Sequence, residues 1–319
     1  MVQNLDCSGL RNLTDVTIIS NDFLKTIDLG NCDKITKLEI DESHRLHTIS
    51  FSENSHLEEF VMRNNYNRLP LHLPEITVEW EKLTNLEILY LRHILNPNFR
   101  VNLTPLVSLE SLFMGQVEHN QGDMNFSNNA KLESLFLNEA DFNTLDLSSC
   151  QNLKSIELHY AINGSQTLDL STNSALEVIA INGGHNHNPI LGSYPNIRQL
   201  QISTVFLSTI DLSNFSTVEE LEISATQQQS IDVSMLENMK VLVLDRNQLT
   251  DLDLSQNLLL ENLDILYNDF GELDVSHNLL LNTLNIKNNS SLSCVKIASG
   301  QVVQNVTKDA GQELRDDCN

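Results

Sequence analysis

Glycine and proline are scarce, with 11 and 6 in 319 residues, and aromatics make up only 5%. That excludes a collagen-like chain and Gly/Pro-rich low complexity. Basic side chains are also few, 19 against 43 acidic ones, for a net charge of -24. Phosphates would be repelled, so nucleic acid is not an expected partner. No apolar run approaches the roughly 18 residues of a membrane helix, so no direct membrane insertion is expected. The five cysteines have spacings that match no zinc site. No Gly-x-Ser-x-Gly, Walker loop or dinucleotide fingerprint is present, and the expectation is that the chain is not an enzyme. His185-Asn186-His187 offers two ligands with no motif to fix a third. The start shows no charged segment followed by an apolar run, so it is read as a mature or trimmed ectodomain rather than one carrying a signal peptide.

What is abundant is leucine, 53 residues, and asparagine, 38. An excess of two types suggests a repeat. Two apolar columns run the length of the chain. The first is Cys7, Leu29, Phe51, Trp80, Leu103, Phe126, Leu147, Leu170, Leu191, Leu212, Val233, Leu254 and Val275. The second, always 11 residues later, is Ile18, Ile40, Met62, Leu91, Met114, Leu137, Leu158, Ile181, Ile202, Ile223, Leu244, Ile265 and Ile286. The Leu-x-Leu at each column is the period-2 pattern of a short strand with one buried face. A unit of 21 to 23 residues has no room for both strands and an ordinary helix, and it cannot bury its own apolar face. Units must stack, giving a mostly β solenoid of about 13 parallel-stranded coils with little or no helix.

Asparagine is expected at the corners, where backbone groups lose their ladder partners and an inward amide can replace them. Asn54, Asn129, Asn173, Asn257 and Asn278 follow the first strand, a column shared with Cys32 and Cys150. Asn21, Asn65, Asn247, Asn268 and Asn289 follow the second.

Residues Leu260 to Phe270 meet the pattern L-x-x-L-x-L-x-x-N/C-x-L, and the chain resembles the leucine-rich repeat family over about residues 5 to 292. The Leu-Asp-Leu-Ser half of each unit is similar to the short bacterial subclass with strands on both sides of the coil. That style and the tail look like secreted or surface-displayed repeat proteins of Bacteroidetes. The resemblance implies a non-catalytic protein-binding or adhesion module, secreted or on the cell surface.

The repeat occupies 1–292, and residues 293–319 lose the period and read as a C-terminal cap. A disulfide between Cys294 and Cys318 would staple that cap. Cys7, Cys32 and Cys150 fall at inward positions and read as buried structural thiols.

Length varies only between the second column and the next coil, most at the insertion over 63–77 with Tyr66, Arg68, Pro70 and Pro74. Midway between the inward positions of the second strand, Val61, Tyr90, Phe113 and Phe136 fall on consecutive coils and should form one exposed apolar stripe. Arg63 and Arg92 lie two residues later on the same face, and His93, His159 and Tyr160 are close by. Exposed apolar stripes often mark interaction sites, and Tyr and Arg are enriched at hot spots. Most of the bases lie in the first hundred residues, so an anionic partner would be steered there. A protein ligand is the expected partner, with a monomeric chain. The alternatives are a glycan-binding module using Tyr66, Trp80, Tyr90 and Phe113, or a structural spacer in a larger surface protein.

The first strand presents an outward row ending in Asp211, Asp232, Asp253 and Asp274. Calcium would neutralise it, but a straight stack matches a six- to eight-oxygen cage poorly. The expectation is a solvated acidic stripe, eased by bonds from the following serines, and no cofactor.

Overall fold

The computed structural model describes residues 2–53, 55–65, 76–96, 98–117, 124–139, 144–161, 167–183, 189–205, 207 and 209–318. Asn54, residues 66–75 of the insertion with Tyr66, Arg68, Pro70 and Pro74, and His185-Asn186-His187 lie outside these. The chain winds into parallel β-solenoid turns, about 13 in all. They form two compact units, Met1–Asn173 and Ser174–Asn319. Among the described residues there is no α-helix, only a 3-10 turn at Trp80–Lys82. Among the described residues no helix is long and apolar enough to cross a membrane.

In the first unit the longer strands are Asp15–Ile19, Lys37–Asp41, Glu59–Arg63, Ile88–Ile94, Ser111–Val117, Ser134–Asn138 and Ser155–His159, each parallel to the next. In the second unit they are Val178–Asn182, Gln199–Ser203, Glu220–Ser224, Val241–Val243, Asn262–Asp264, Thr283–Asn285 and Asn305–Thr307, again in parallel. Register follows the repeat, so every residue stacks on its counterpart one coil away. Every member of the second column is buried. Each such Leu or Ile contributes about 1.5–3 kcal/mol that no single coil could provide alone.

Strands on the opposite side are shorter and discontinuous. In the first unit Asn4–Asp6, Thr26–Leu29, Thr48–Phe51 and Thr77–Val78 form one ladder, and Met124–Asn125 pairs with Leu145–Asp146. In the second unit Leu273–Asp274, Cys294–Lys296 and Glu313–Arg315 form another. A strand on both sides of every coil is therefore not what forms. The outward Asp or Asn here turns the chain with its own side chain, leaving few residues free to run in a ladder. The first column is otherwise buried, except that Leu191 is half-buried. It lines a cleft of about 210 Å³ with Pro189, Leu207 and Phe215.

One feature of every coil has no sequence signature. The residue two positions after each second-column member has a positive φ: Ser20, Glu42, Asn64, His93, Gln116, Glu139, Tyr160, Gly183, Thr204, Ala225, Arg246, Tyr267 and Asn288. This left-handed residue ends the strand and swings the chain into the corner. It costs an L-residue about 1–2 kcal/mol, which the corner amide one residue later helps to offset at Asn65, Asn247, Asn268 and Asn289.

The corners are amide ladders. At the first corner Asn129 Nδ2 donates to the carbonyls of Leu103 and Leu106 (3.2 and 2.8 Å), and Asn257 Nδ2 to those of Val233 and Leu236 (2.9 and 3.0 Å). Asn173 and Asn278 repeat the pattern. Each amide thus reaches back to the previous coil. Cys32 and Cys150 occupy the same column and donate one weaker bond, to the carbonyls of Cys7 (3.0 Å) and Phe126 (4.0 Å). Burial raises all three free thiols, with Cys150 at about 11, so they are poor nucleophiles. At the second corner Asn247 donates to Ile223 and Leu244 and accepts from the N–H groups of Thr226 and Gln228. Asn21, placed in this column from sequence, is only half-buried.

Residues 293–319 carry the ladders on, with Glu313–Arg315 only 19 residues from its partner strand. Cys294–Lys296 and Asn305–Thr307 each extend a sheet, at 22 residues from their partners. Val295, Val306 and Leu314 take the inward strand positions, but Lys308 follows Thr307 where Ile286 follows Asn285, which breaks the second apolar column. The corners become Gly300-Gln301 and Gly311-Gln312, with both glycines at positive φ. Gln301 donates to Val275 and Asn278, and Gln312 to Ile286 and Asn289. A side chain one methylene longer, placed one residue later, thus serves the carbonyls that Asn serves elsewhere. Cys294 and Cys318 are joined by a disulfide with Cα atoms 5.8 Å apart.

Candidate functional site

Parallel, in-register stacking carries a side chain at one position onto the same position of the next coil, about 4.8 Å away. Tyr90 pairs with Phe113 and Phe113 with Phe136. Their rings lie 4.2 and 4.3 Å apart between centroids, at 7° and 6°. All three are half-buried. The ends of the stack are covered too. Arg63 lies over Tyr90 at 5.8 Å, and the His159 ring is tilted against Phe136 at 5.4 Å. The result is a ridge of ring edges whose faces are spent on each other.

The expected stripe is shorter than its sequence suggested. Val61, in register with Tyr90, is buried at 7% exposure, between Glu39 and Tyr90 in the row. A β-branched side chain is too short to stand clear of the tyrosine ring and the arginine that covers it. Arg63 is half-buried and ion-paired with Glu39, so its charge is largely satisfied within the protein. Arg92, on the next coil, is exposed and has no ion pair or hydrogen bond among the described contacts. Tyr160 is 53% exposed but sits in the left-handed column, at the corner rather than in the stack. His93 is in that column as well, with Nδ1 3.0 Å from Asn64 Oδ1. Trp80 is buried and its Nε1–H donates to the Arg100 carbonyl, so it offers no face to a ligand.

Gly115 was not anticipated as part of this site. Its φ is not in the left-handed region. A Cβ there would lie 3.1 Å from Phe113 Cε1 and 3.4 Å from Cζ. The glycine is present for space: the Phe113 ring leans over it.

The acidic row on the first-strand side has a local explanation. Asp146, Asp169, Asp211, Asp232, Asp253 and Asp274 each accept a bond of 2.9–3.0 Å from the N–H of the serine two residues on. Asn102 and Asn125 do the same for Thr104 and Ser127. Bonds from Ser213, Ser234 and Ser255 hold Asp211, Asp232 and Asp253 below the ordinary carboxyl value. Burial pushes Asp274 up, but bonds from Lys296 and Ser276 outweigh it and bring it to about 2. A depressed folded value means that this stabilisation is complete above the unfolded value, 3.8, and is lost as pH falls toward about 2. Glu222, raised chiefly by burial, works in the opposite direction. Asp253→Asn should keep the turn, as Asn102 does, and remove one proton-binding group. Melts at pH 7 and about pH 2.5 should show little change at neutrality and a relative gain in acid. A clear drop in melting temperature at pH 7 would mean that the charge itself holds the turn. Among the described residues no group of three or more His, Cys, Asp or Glu is placed to hold a metal ion.

The solenoid has counterparts among solved structures. The functional domain of InlJ from Listeria monocytogenes, which includes a cysteine ladder, superposes with a TM-score of 0.59 at 16% identity. The match covers 92% of this chain and 68% of InlJ. This chain has the leucine-rich repeat fold. The internalin InlF of Listeria monocytogenes str. 4b F2365 matches at 0.50 and 14% identity, over 97% of this chain and 88% of that one. The PEPR1–AtPEP1 structure matches at 0.52 and 16%, over 95% and 50%. At these identities the likeness establishes the fold. No protein-family model matches the chain, and no curated protein matches it. The bacterial subclass and the likeness to Bacteroidetes proteins therefore rest on the sequence pattern alone.

Proposed function

We propose that the protein is a non-catalytic polypeptide-binding module that binds through the aromatic ridge of Tyr90, Phe113 and Phe136. The observation that carries this is the stack itself. Three rings at 4.2–4.3 Å make a rigid apolar ridge on an otherwise strongly acidic chain, and rigid aromatics are the usual anchors of protein interfaces. A ligand along the ridge meets ring edges, with Arg92 on one flank and the Ser111 and Ser134 hydroxyls on the other. A sugar stacks on an aromatic face, and each face here is covered by a neighbouring ring, by Arg63 or by His159. That favours a polypeptide over a glycan. The PEPR1–AtPEP1 pair is consistent with such use of the fold, as an analogy. The Cys294–Cys318 disulfide supports a secreted or cell-surface location, because disulfides persist in oxidising compartments.

Tyr90→Ser combined with Phe113→Ser tests the reading. Pull-downs from host and bacterial surface extracts should lose the captured partner with this variant while its melting stays cooperative. Undiminished capture by a folded variant would reject the ridge, and binding on a glycan array instead of capture of a protein would favour the glycan alternative.

A further inference from the structure

The row two residues beyond the aromatic ridge runs Arg63, Arg92, Gly115, Asn138 and His159 across adjacent strands. Each end has a carboxylate beside it: Arg63 is paired with Glu39, and His159 Nε2 lies 3.9 Å from Glu157. The middle has no such pair. Arg92 is exposed and Asn138 half-buried, and neither has a hydrogen-bond or ion-pair partner among the described contacts. Between them Gly115 carries no side chain, and its place is taken by the edge of Phe113, 3.1 Å from the missing Cβ. Arg92 Cγ is 3.9 Å from the same point, so the arginine stem lines one wall.

Arg92 and Asn138 are two strand spacings apart, about 9.5 Å between backbones. That gap admits one planar acceptor group between a guanidinium and a side-chain amide. The gap is rich in donors: five guanidinium N–H groups, the two N–H groups of the Asn138 amide beside its carbonyl, and a ring edge, which is the positive part of the aromatic quadrupole. The outward positions of the strands Ile88–Ile94, Ser111–Val117 and Ser134–Asn138 carry no carboxylate, in a chain with 43 acidic residues. Carboxylates are therefore absent from the outward positions themselves; the neighbouring Glu139, just past Asn138, is engaged by Gln116 Nε2 at 3.1 Å.

We propose that Arg92, Asn138 and the Phe113 edge above Gly115 form a seat for one carboxylate of the bound polypeptide. The inference rests on the ridge being the binding surface, and it names the chemistry that fixes the ligand's register along it. Arginine gives a bidentate fork for a carboxylate, and the amide and ring edge complete the coordination. The carboxylate could come from an Asp or Glu side chain or from the ligand's C-terminus, and the two sources share this chemistry.

The test is an NMR titration of the whole protein at fixed ionic strength. The probes are N-acetyl-glutamate N-methylamide for a side-chain carboxylate, N-acetyl-glycine for a terminal one, and N-acetyl-glutamine N-methylamide as the neutral control. A saturable shift of the Gly115 N–H and the Asn138 side-chain amide with a carboxylate probe, and none with the control, is expected. Whichever carboxylate saturates first identifies the source. Arg92→Gln should abolish the saturation with melting unchanged, and Gly115→Ala should weaken it by displacing the Phe113 ring. Shifts that rise linearly with either carboxylate, equal those of the control, or survive Arg92→Gln would overturn the seat. If the seat fails while Tyr90→Ser with Phe113→Ser still loses the captured protein, the ridge stands without it.

Discussion

Asn257→Ala should lower stability by about 2–3 kcal/mol, because it removes two buried hydrogen bonds and leaves a small cavity. Asn257 is fully buried, and its amide donates to Val233 and Leu236 of the preceding coil at 2.9 and 3.0 Å. With those bonds gone, each carbonyl keeps only its turn bond, from the N–H of Leu236 or of Met239, and the lone pair set free has no water to turn to. The same column offers a graded control. Cys32 and Cys150 fill it elsewhere with a single thiol donor, so Asn257→Cys should fall between wild type and alanine. Urea unfolding would show the order Asn, Cys, Ala. A cost below about 1 kcal/mol for alanine would mean that the corner amides are incidental to stacking.

Removing the cap's staple should have a comparable effect. Cys294 and Cys318 are 24 residues apart, and closing a loop of that size is worth about 3–4 kcal/mol in the chain-entropy model. The fold gives this loss a location. Each coil is held mainly by its neighbours, so a solenoid can open from an end. Cys294→Ser with Cys318→Ser should speed hydrogen exchange first in the strands Cys294–Lys296, Asn305–Thr307 and Glu313–Arg315. The corner amides of Gln301 and Gln312 remain, so the cap should loosen without taking the first unit with it. Unchanged exchange at those strands would show that the glutamine corners alone secure the cap.

Much of this was legible in the sequence because the repeat is a ruler. Two apolar columns 11 residues apart fix the strands, and in-register stacking converts sequence period into spatial rows. That is why Tyr90, Phe113 and Phe136 could be placed side by side before any coordinates. Failures arose where a residue's role depends on its neighbours' side chains rather than on its column. Val61 lies in the outward column and is buried by the tyrosine of the next coil and the arginine over it. Gly115 reads as an ordinary outward position, and only the lean of Phe113 shows what it makes room for. The left-handed column is invisible because glutamate, tyrosine, alanine and arginine all occupy it, held there by a corner rather than by propensity. In the cap Gly-Gln does the work of Asn in a register one residue later, which hides its corners from the repeat pattern.

The central claim is that ligands meet the ridge of the first unit and not the acidic row of the second. A photo-crosslinking amino acid tests it without disturbing the stack if placed at Ile88, which is 42% exposed and two residues before Tyr90 on the same face. A second protein with the crosslinker at Asp232 serves as the comparison. Irradiation in surface extract should yield an adduct from position 88 that disappears with Arg92→Gln or with Tyr90→Ser, and none from position 232. An adduct from position 232 alone, or one from position 88 indifferent to both substitutions, would contradict the account.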